Sequence, residues 1–136
     1  PLNLSSAANT VEQTPAAIGD ALTFSITQAQ AGTAISHAAG TAEFILSETG
    51  IYEIQYNTIV TASGEVPATV SLHLNINGDL IPASRASVTI SSATDEQTLS
   101  GLVVLTATTL PATITLVAED TNGTYSNTVL TIQKLD

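Results

Sequence analysis

Apolar and polar residues alternate with a period of two along most of the chain from Leu22 onward. Over residues 22–27 the alternation places Leu, Phe and Ile on one face and hydroxyl side chains on the other, as in a half-buried strand. Residues 70–76 show the pattern most regularly, with Ser, His and Asn on the polar face. Further strands are predicted over residues 44–46, 51–60, 80–81, 87–91, 99–106, 112–118 and 128–135.

Two Asn-Gly dipeptides lie beside these predicted strands. Asn77-Gly78 follows residues 70–76, and Asn122-Gly123 precedes the last strand. This dipeptide best tolerates the two positive φ angles of a type I′ hairpin turn, so both are predicted to form tight turns. About ten short strands, with no apolar period of 3.6 over three helical turns, predict an all-β antiparallel jelly-roll sandwich.

The first twenty residues do not share this alternation. Pro15 and Gly19 interrupt any long periodicity there. We therefore expect residues 1–20 to form an N-terminal arm and residues 21–136 to form one domain. Pro1 is not an initiator methionine and no signal peptide follows it, so we expect an excised domain or a processed form.

Charged residues are scarce and almost all acidic. The 136 residues include 2 basic and 12 acidic side chains, for a net charge of -10, and only 10% are charged, against about 25% in typical domains. Two basic residues, Arg85 and Lys134, are too few for binding to nucleic acid or to an anionic membrane surface. The longest aliphatic run, residues 102–105, is far too short for membrane insertion.

A hydrophobic share of 43% and a mean hydropathy of +0.31 indicate much uncharged surface, which assembly of several copies would bury.

Phe44 begins the most recognisable spacing in the chain. It is followed after five residues by Gly50-Ile51-Tyr52-Glu53-Ile54-Gln55-Tyr56. The spacing Phe-x5-Gly-x-Tyr-x-Ile-x-Tyr resembles the central signature of the complement-head and tumour-necrosis-factor superfamily of trimeric jelly rolls. Alternation places Tyr52 and Tyr56 on one face of the strand. We expect Tyr52 in the core and leave Tyr56 open between core and interface.

A narrower resemblance involves several segments together. Residues 44–50 and 75–78, supported by 32–36 and 131–134, are similar to the C-terminal domain of BclA-type collagen-like glycoproteins, which form filaments on bacterial spores. The resemblance covers about residues 22–135. It implies a tumour-necrosis-factor-like jelly roll of about ten strands, a compact homotrimer and a collagen-like Gly-X-Y stalk before Pro1.

These implications lead to one main hypothesis and its alternatives. The main hypothesis is a non-enzymatic structural head that trimerises and caps a collagen-like filament on the outside of a bacterial spore, in the exosporium. The alternatives are an adhesin head that binds a host or matrix surface, a phage fibre-tip domain of the same fold, and an enzyme with an unrecognised site.

Residues capable of catalysis are few. The chain has no cysteine, no Gly-x-Ser-x-Gly and no His-Glu-x-x-His motif. His73 lies on the polar face of its strand, where a solvent or interface position is the simpler interpretation, and His37 is expected in a loop. We therefore predict no catalytic residues and no enzymatic activity.

Calcium is the only cofactor that the sequence suggests. Glu119 and Asp120 before Asn122-Gly123, and Asp79 after Asn77-Gly78, place oxygen ligands around a glycine, loosely as in a calcium loop. Neither segment has the full ligand spacing, so tight turns are the favoured interpretation. Asp95-Glu96 is expected to lie in a solvated loop.

Overall fold

The chain forms eleven β-strands and no helix. A computed structural model describes residues 1–136. None of its elements is a helix that could cross a membrane. The strands are β1 (Leu4–Asn9), β2 (Ile26–Ala31), β3 (Ile35–His37), β4 (Phe44–Leu46), β5 (Gly50–Ala62), β6 (Ala68–Ile76), β7 (Asp79–Leu80), β8 (Ala86–Ile90), β9 (Gln97–Ala107), β10 (Ala112–Ala118) and β11 (Gly123–Lys134).

The strands form two antiparallel sheets packed as a sandwich. The five-stranded sheet has the order β2-β1-β11-β5-β9. The six-stranded sheet has the order β3-β4-β10-β6, and both β7 and β8 pair with the far edge of β6. Strands adjacent in sequence, such as β4 and β5 or β10 and β11, lie in different sheets. The predicted all-β jelly roll is therefore confirmed.

The core lies between the sheets and is built from the inward positions of the alternating strands. In β5, Tyr52 and Tyr56 are both buried, and both phenols donate hydrogen bonds to backbone carbonyls. Tyr52 Oη donates to the oxygen of Glu48 at 2.7 Å, and Tyr56 Oη donates to the oxygen of Ser84 at 2.7 Å. Burial, and then the negative charge of Glu119, raises the pKa of Tyr56 to about 12. The position of Tyr56, open from sequence, is thus the core.

The Asn77-Gly78 turn forms as predicted. Asn77 has φ 50° and Gly78 has φ 84°, the two positive angles of a type I′ turn, and the turn joins β6 to β7. Asn77 Oδ1 also accepts a hydrogen bond from the backbone nitrogen of Thr113 at 2.8 Å.

The hairpin predicted at Asn122-Gly123 is wrong. β10 belongs to the six-stranded sheet and β11 to the five-stranded sheet, so this segment crosses between layers, and neither residue has a positive φ. Gly123 is needed for space instead. A Cβ there would lie 2.8 Å from Val70 Cγ1 and 2.9 Å from Val60 Cγ2.

The N-terminal arm is also corrected by the structure. Residues 4–9 form β1, which pairs with β2 on one side and with β11 on the other, and Ala7 is fully buried. Residues 1–20 therefore contribute an interior strand to the domain. The strand predicted at residues 22–27 begins later, at Ile26, while Leu22 and Phe24 reach the core through irregular backbone.

Candidate functional site

The five-stranded sheet contains the three longest strands of the molecule, and we call its outer surface the five-strand face. Its members are the outward side chains of β1, β11, β5 and β9, which alternate with the core residues of the same strands. They include Leu4, Ser6, Val129, Thr131, Gln133, Ile51, Glu53, Gln55, Asn57, Ile59, Thr98, Ser100, Leu102, Val104 and Thr106.

Cross-strand pairing arranges these side chains in rows. One row runs Leu102, Gln55, Thr131 and Ser6, and the hydroxyls of its last two residues are 2.8 Å apart. The next row runs Val104, Glu53, Gln133 and Leu4. Leu102 and Val104 are 55% and 54% exposed, although they are aliphatic. Apart from the carboxylate of Glu53, the rows therefore form a surface of aliphatic, hydroxyl and amide groups, which costs little free energy to remove from water when its polar groups find partners.

Only one ionised side chain belongs to the five-strand face. The five strands of this sheet contain two charged residues, Glu53 and Lys134. Lys134 pairs with Tyr52 in register, its side chain is 11% exposed, and its Nζ lies 3.1 Å from Asp136 Oδ1. Glu53 is therefore the sole charge on the face, while the remaining carboxylates of a strongly acidic chain lie elsewhere.

A polar cluster occupies the outer surface of the six-stranded sheet. His73 Nδ1 lies 2.7 Å from Glu119 Oε2, and Arg85 Nε donates to Glu119 Oε1 at 2.8 Å. Arg85 also donates to Ser71 Oγ at 3.1 Å, and that hydroxyl lies 2.8 Å from Ser87 Oγ. Burial alone would raise the pKa of Glu119, but the hydrogen bonds from Arg85 and His73 outweigh it, so the pKa is lowered.

The three calcium candidates are not brought together. Glu119 is held by His73 and Arg85, as described above. Asp120 accepts hydrogen bonds from the backbone nitrogens of Ser71 and Asn122, both at 3.0 Å. Asp79 begins β7 at the other end of β6. No three His, Asp or Glu side chains group as a metal site would require.

His37 lies in a strand, not in the predicted loop. It is the last residue of β3, pairs with Phe44, and stacks on that ring with centroids 4.2 Å apart. Its Nε2 donates to the oxygen of Thr41 at 2.9 Å, since a carbonyl can only accept. His37 also lines an open cleft of about 440 Å³ with Glu43 and Ile45. Its ring therefore contributes to packing at the edge of the sheet.

Arg85 was noted from sequence only as one of two basic residues, and not as a member of a site. It precedes β8 and lies 34 positions before Glu119, so no local motif joins the two. The sequence analysis also did not identify the five-strand face. The alternation along each strand does show which of its residues point outward. Charge scarcity indicated an assembly surface without locating it.

Replacing Arg85 with glutamine is expected to lower the free energy of unfolding by about 0.5–1 kcal/mol at pH 7, the value of a partly exposed ion pair. Glu119 has a lower pKa folded than unfolded, so its ionised form stabilises the fold above pH ~4.3, and this contribution is lost as pH falls through the folded pKa. Urea unfolding should therefore show a difference at pH 7 that disappears near pH 3. Glu65→Gln, in an exposed loop, changes the net charge by one unit in the opposite sense outside the polar cluster and should leave the stability nearly unchanged. An equal R85Q deficit at both pH values would contradict the role of the ion pair.

Comparison with known proteins identifies the fold. No family model matches the chain, and no curated protein sequence matches it. Among solved structures, murine APRIL at pH 8.0 has a TM-score of 0.74 and 14% identity, covering 99% of this chain and 100% of that one. Eiger TNF from S. frugiperda has a TM-score of 0.74 and 10% identity, covering 100% and 94%.

A complement protein has the same architecture. The globular domain of zebrafish complement 1qA protein has a TM-score of 0.65 and 14% identity, covering 98% of this chain and 95% of that one. Identities this low show the fold alone. The chain therefore has the jelly-roll fold of the tumour-necrosis-factor-like and complement-1q-like heads, as the spacing from Phe44 to Tyr56 indicated.

Proposed function

We propose that this chain is a non-enzymatic structural head that forms a homotrimer through the five-strand face and caps a collagen-like filament on the outer surface of a bacterial spore. The observation that carries the assembly is the charge distribution. A chain with a net charge of -10 has only Glu53 on this broad face. Three copies would carry three times -10, or -30, so they can associate only through surfaces nearly free of charge.

The aliphatic side chains on the face supply the driving force for this association. Ile51, Leu102 and Val104 are 40%, 55% and 54% exposed in the single chain. Burying such groups is favourable at about 25 cal/mol per Å². The neighbouring amides of Gln55 and Gln133 can form hydrogen bonds across an interface without a cost of neutralising charge.

The position of the chain ends supports a stalk at one end of the head. Leu4 pairs with Gln133, so the two termini lie at the same end of the sandwich. Asp120 and Asp95 lie in loops at the opposite end, after β10 and before β9. A collagen-like segment joined to the N-terminus would therefore approach three heads from one side and leave the acidic loops facing outward.

The polar cluster supports a structural rather than a catalytic role for His73. Its Nδ1 faces the carboxylate of Glu119, while the hydroxyl of Ser71 interacts with Ser87 and Arg85. A serine nucleophile would need a hydrogen bond to the histidine that activates it. These contacts instead connect β6, β8 and the end of β10 on the outer surface of the sheet.

Sedimentation equilibrium tests the assembly directly. The chain has a mass of 13.9 kDa, so the expected trimer has a mass of three times 13.9, or 41.7 kDa. A species of 13.9 kDa that persists at micromolar and higher concentrations would contradict the proposal.

Labelling of intact spores with an antibody against this chain tests its location, and labelling confined to the interior would contradict an external cap. A glycan and matrix-protein binding screen tests the alternative of an adhesin head.

A further inference from the structure

We propose that Asn77 is a site of spontaneous deamidation, at which the folded chain exchanges a side-chain amide for a carboxylate, while the fold protects Asn122 from the same reaction. Asparagine is chemically labile, most of all before glycine, because no side chain on the glycine obstructs attack by its backbone nitrogen. The chain contains two such dipeptides, Asn77-Gly78 and Asn122-Gly123. Their surroundings in the fold decide which one reacts. The reaction needs neither a partner chain nor the proposed homotrimer.

The reaction proceeds through a cyclic imide. The backbone nitrogen of Gly78 loses its proton to a base in the solvent and attacks Cγ of Asn77, so that a new N–C bond forms. The bond between Cγ and Nδ2 then breaks, and Nδ2 takes a proton from water and leaves as ammonia. A water molecule opens the imide at either of its carbonyls, which gives aspartate or isoaspartate. The net reaction consumes water and releases ammonia, without oxidation or reduction.

The turn at Asn77 leaves the reacting groups accessible. Asn77 and Gly78 are both exposed, the backbone nitrogen of Gly78 makes no hydrogen bond within the chain, and a Cβ built on Gly78 would meet no atom within 4 Å. Asn77 Oδ1 accepts a hydrogen bond from the backbone nitrogen of Thr113 at 2.8 Å. This donor lies at the oxygen on which negative charge develops during the attack, and it leaves Nδ2 free to depart.

The rotation that brings the nitrogen of Gly78 to Cγ requires the turn to open, and little structure resists this opening. The strand that follows the turn, β7, consists of Asp79 and Leu80 alone, and both are exposed. β7 lies at the end of its sheet and pairs only with β6. Short edge segments with few buried contacts open locally at a small cost in free energy.

Asn122 is held at the groups that would have to move. Its Nδ2 donates to the oxygen of Thr69 at 3.1 Å, and its backbone nitrogen donates to Asp120 Oδ1 at 3.0 Å. Its backbone oxygen accepts a hydrogen bond from the nitrogen of Ser63 at 2.9 Å. Gly123 is buried, and core side chains crowd its Cα. Forming an imide there would break these hydrogen bonds and disturb the packing between the two sheets.

The product at Asn77 differs in charge and in backbone length. Each reaction adds a carboxylate beside Asp79, in a chain that already has a net charge of -10. Isoaspartate also adds a methylene group to the main chain, which a two-residue type I′ turn cannot accommodate. We therefore expect β7 to lose its register with β6, so that an aged head differs from a new one at this corner of the six-stranded sheet.

The test compares the two dipeptides within one chain. The folded chain would be incubated in mildly alkaline buffer and sampled by peptide mass spectrometry, with isoaspartate detected by enzymatic methylation of its carboxylate. We expect Asn77 to react at least about tenfold faster than Asn122 in the folded chain. In concentrated urea the two rates should become similar, because both sites then depend only on the local Asn-Gly sequence.

A pair of matched variants locates the reaction. Asn77→Gln should lose the modification, because the longer side chain of glutamine would require a larger ring, and Asn122→Gln should keep it. Equal rates at the two sites in the folded chain, or a faster reaction at Asn122, would overturn the inference. The same holds if isoaspartate forms unchanged in N77Q, or if neither site reacts in the folded chain while both react in urea. Circular dichroism checks the fold of each variant, and sedimentation reports assembly separately, so these outcomes leave the homotrimer to its own test.

Discussion

Replacing Leu102 with glutamate should convert the proposed homotrimer into monomers that keep their fold. Leu102 lies on β9, in the same row as Gln55 and Thr131, and is 55% exposed in the single chain. Its side chain contributes little to the core, so a polar replacement is tolerated by the monomer. In the proposed homotrimer the new carboxylate would be buried at each interface without a basic partner. An unpaired buried charge costs several kcal/mol, and 1.4 kcal/mol is a factor of ten in an equilibrium constant.

We therefore expect the concentration for half-assembly to rise at least a hundredfold in L102E. Sedimentation velocity or light scattering across a dilution series measures it. Ile45→Glu is the matched control, because Ile45 is 40% exposed on the outer side of β4 in the other sheet. This control should remain trimeric. If L102E assembles as the unchanged chain does, or if I45E dissociates and L102E does not, the five-strand face is not the interface.

Gly101→Ala is expected to destabilise the fold strongly, although it adds only one methyl group. Gly101 pairs with Tyr56 in register, and a Cβ at Gly101 would lie 2.5 Å from Tyr56 Cε2 and 2.8 Å from its Cζ. The ring cannot easily move, because its hydroxyl donates to the oxygen of Ser84 at 2.7 Å. Overpacking of a core costs about 1–3 kcal/mol, and losing this hydrogen bond would add about 1 kcal/mol.

The expected loss for G101A is therefore about 2–4 kcal/mol in the free energy of unfolding, measured by urea denaturation. Gly64→Ala is the control, since a Cβ there meets nothing within 4 Å and the residue has no positive φ. It should change the stability by less than about 0.5 kcal/mol. Adding Tyr56→Leu to G101A should cost less than the sum of the single changes, because it removes the clash. A loss below 0.5 kcal/mol for G101A would show that the ring has room to shift.

The sequence predicted strands where large and polar side chains alternate. Residues 112–118 match β10, and residues 70–76 lie within β6, because Val, Leu and Ile there alternate with Ser, Thr, His and Asn. β1 was missed because its Ser and Ala side chains are too short and too similar in polarity to show a period. It is a strand because β2 and β11 provide hydrogen-bonding partners on both sides.

Turns were predictable only where both flanking strands pair with each other. Asn77-Gly78 joins β6 to β7 within one sheet, so the local preference decided the structure. At Asn122-Gly123 the strand that follows joins the other sheet, because it pairs with β1 and β5, which are distant in sequence. The packing of Val60 and Val70 against Gly123 was also not predictable, because neither valine is near Gly123 in sequence.

The candidate sites were predictable in part. His73 and Glu119 were each noted from sequence, but their ion pair joins residues 46 positions apart and depends on the pairing of β6 with β10. The composition indicated that this chain has a surface for assembly. Locating that surface required knowing which strands lie side by side, since Glu53, Val104 and Gln133 meet only through the register of β5 with its two neighbours.

The interior position of β1 sets the order in which the head can be completed. Ser6 and Thr131, neighbours in the sheet, are 125 positions apart in the chain. During synthesis the first strand must therefore wait for the last one, because a two-stranded pair with β2 is only marginally stable alone. Such long-range pairing also makes folding slow, on a timescale of milliseconds to seconds. The five-strand face exists only once β11 is in place, so under the proposed assembly chains would associate after folding is complete and not while they are still being made.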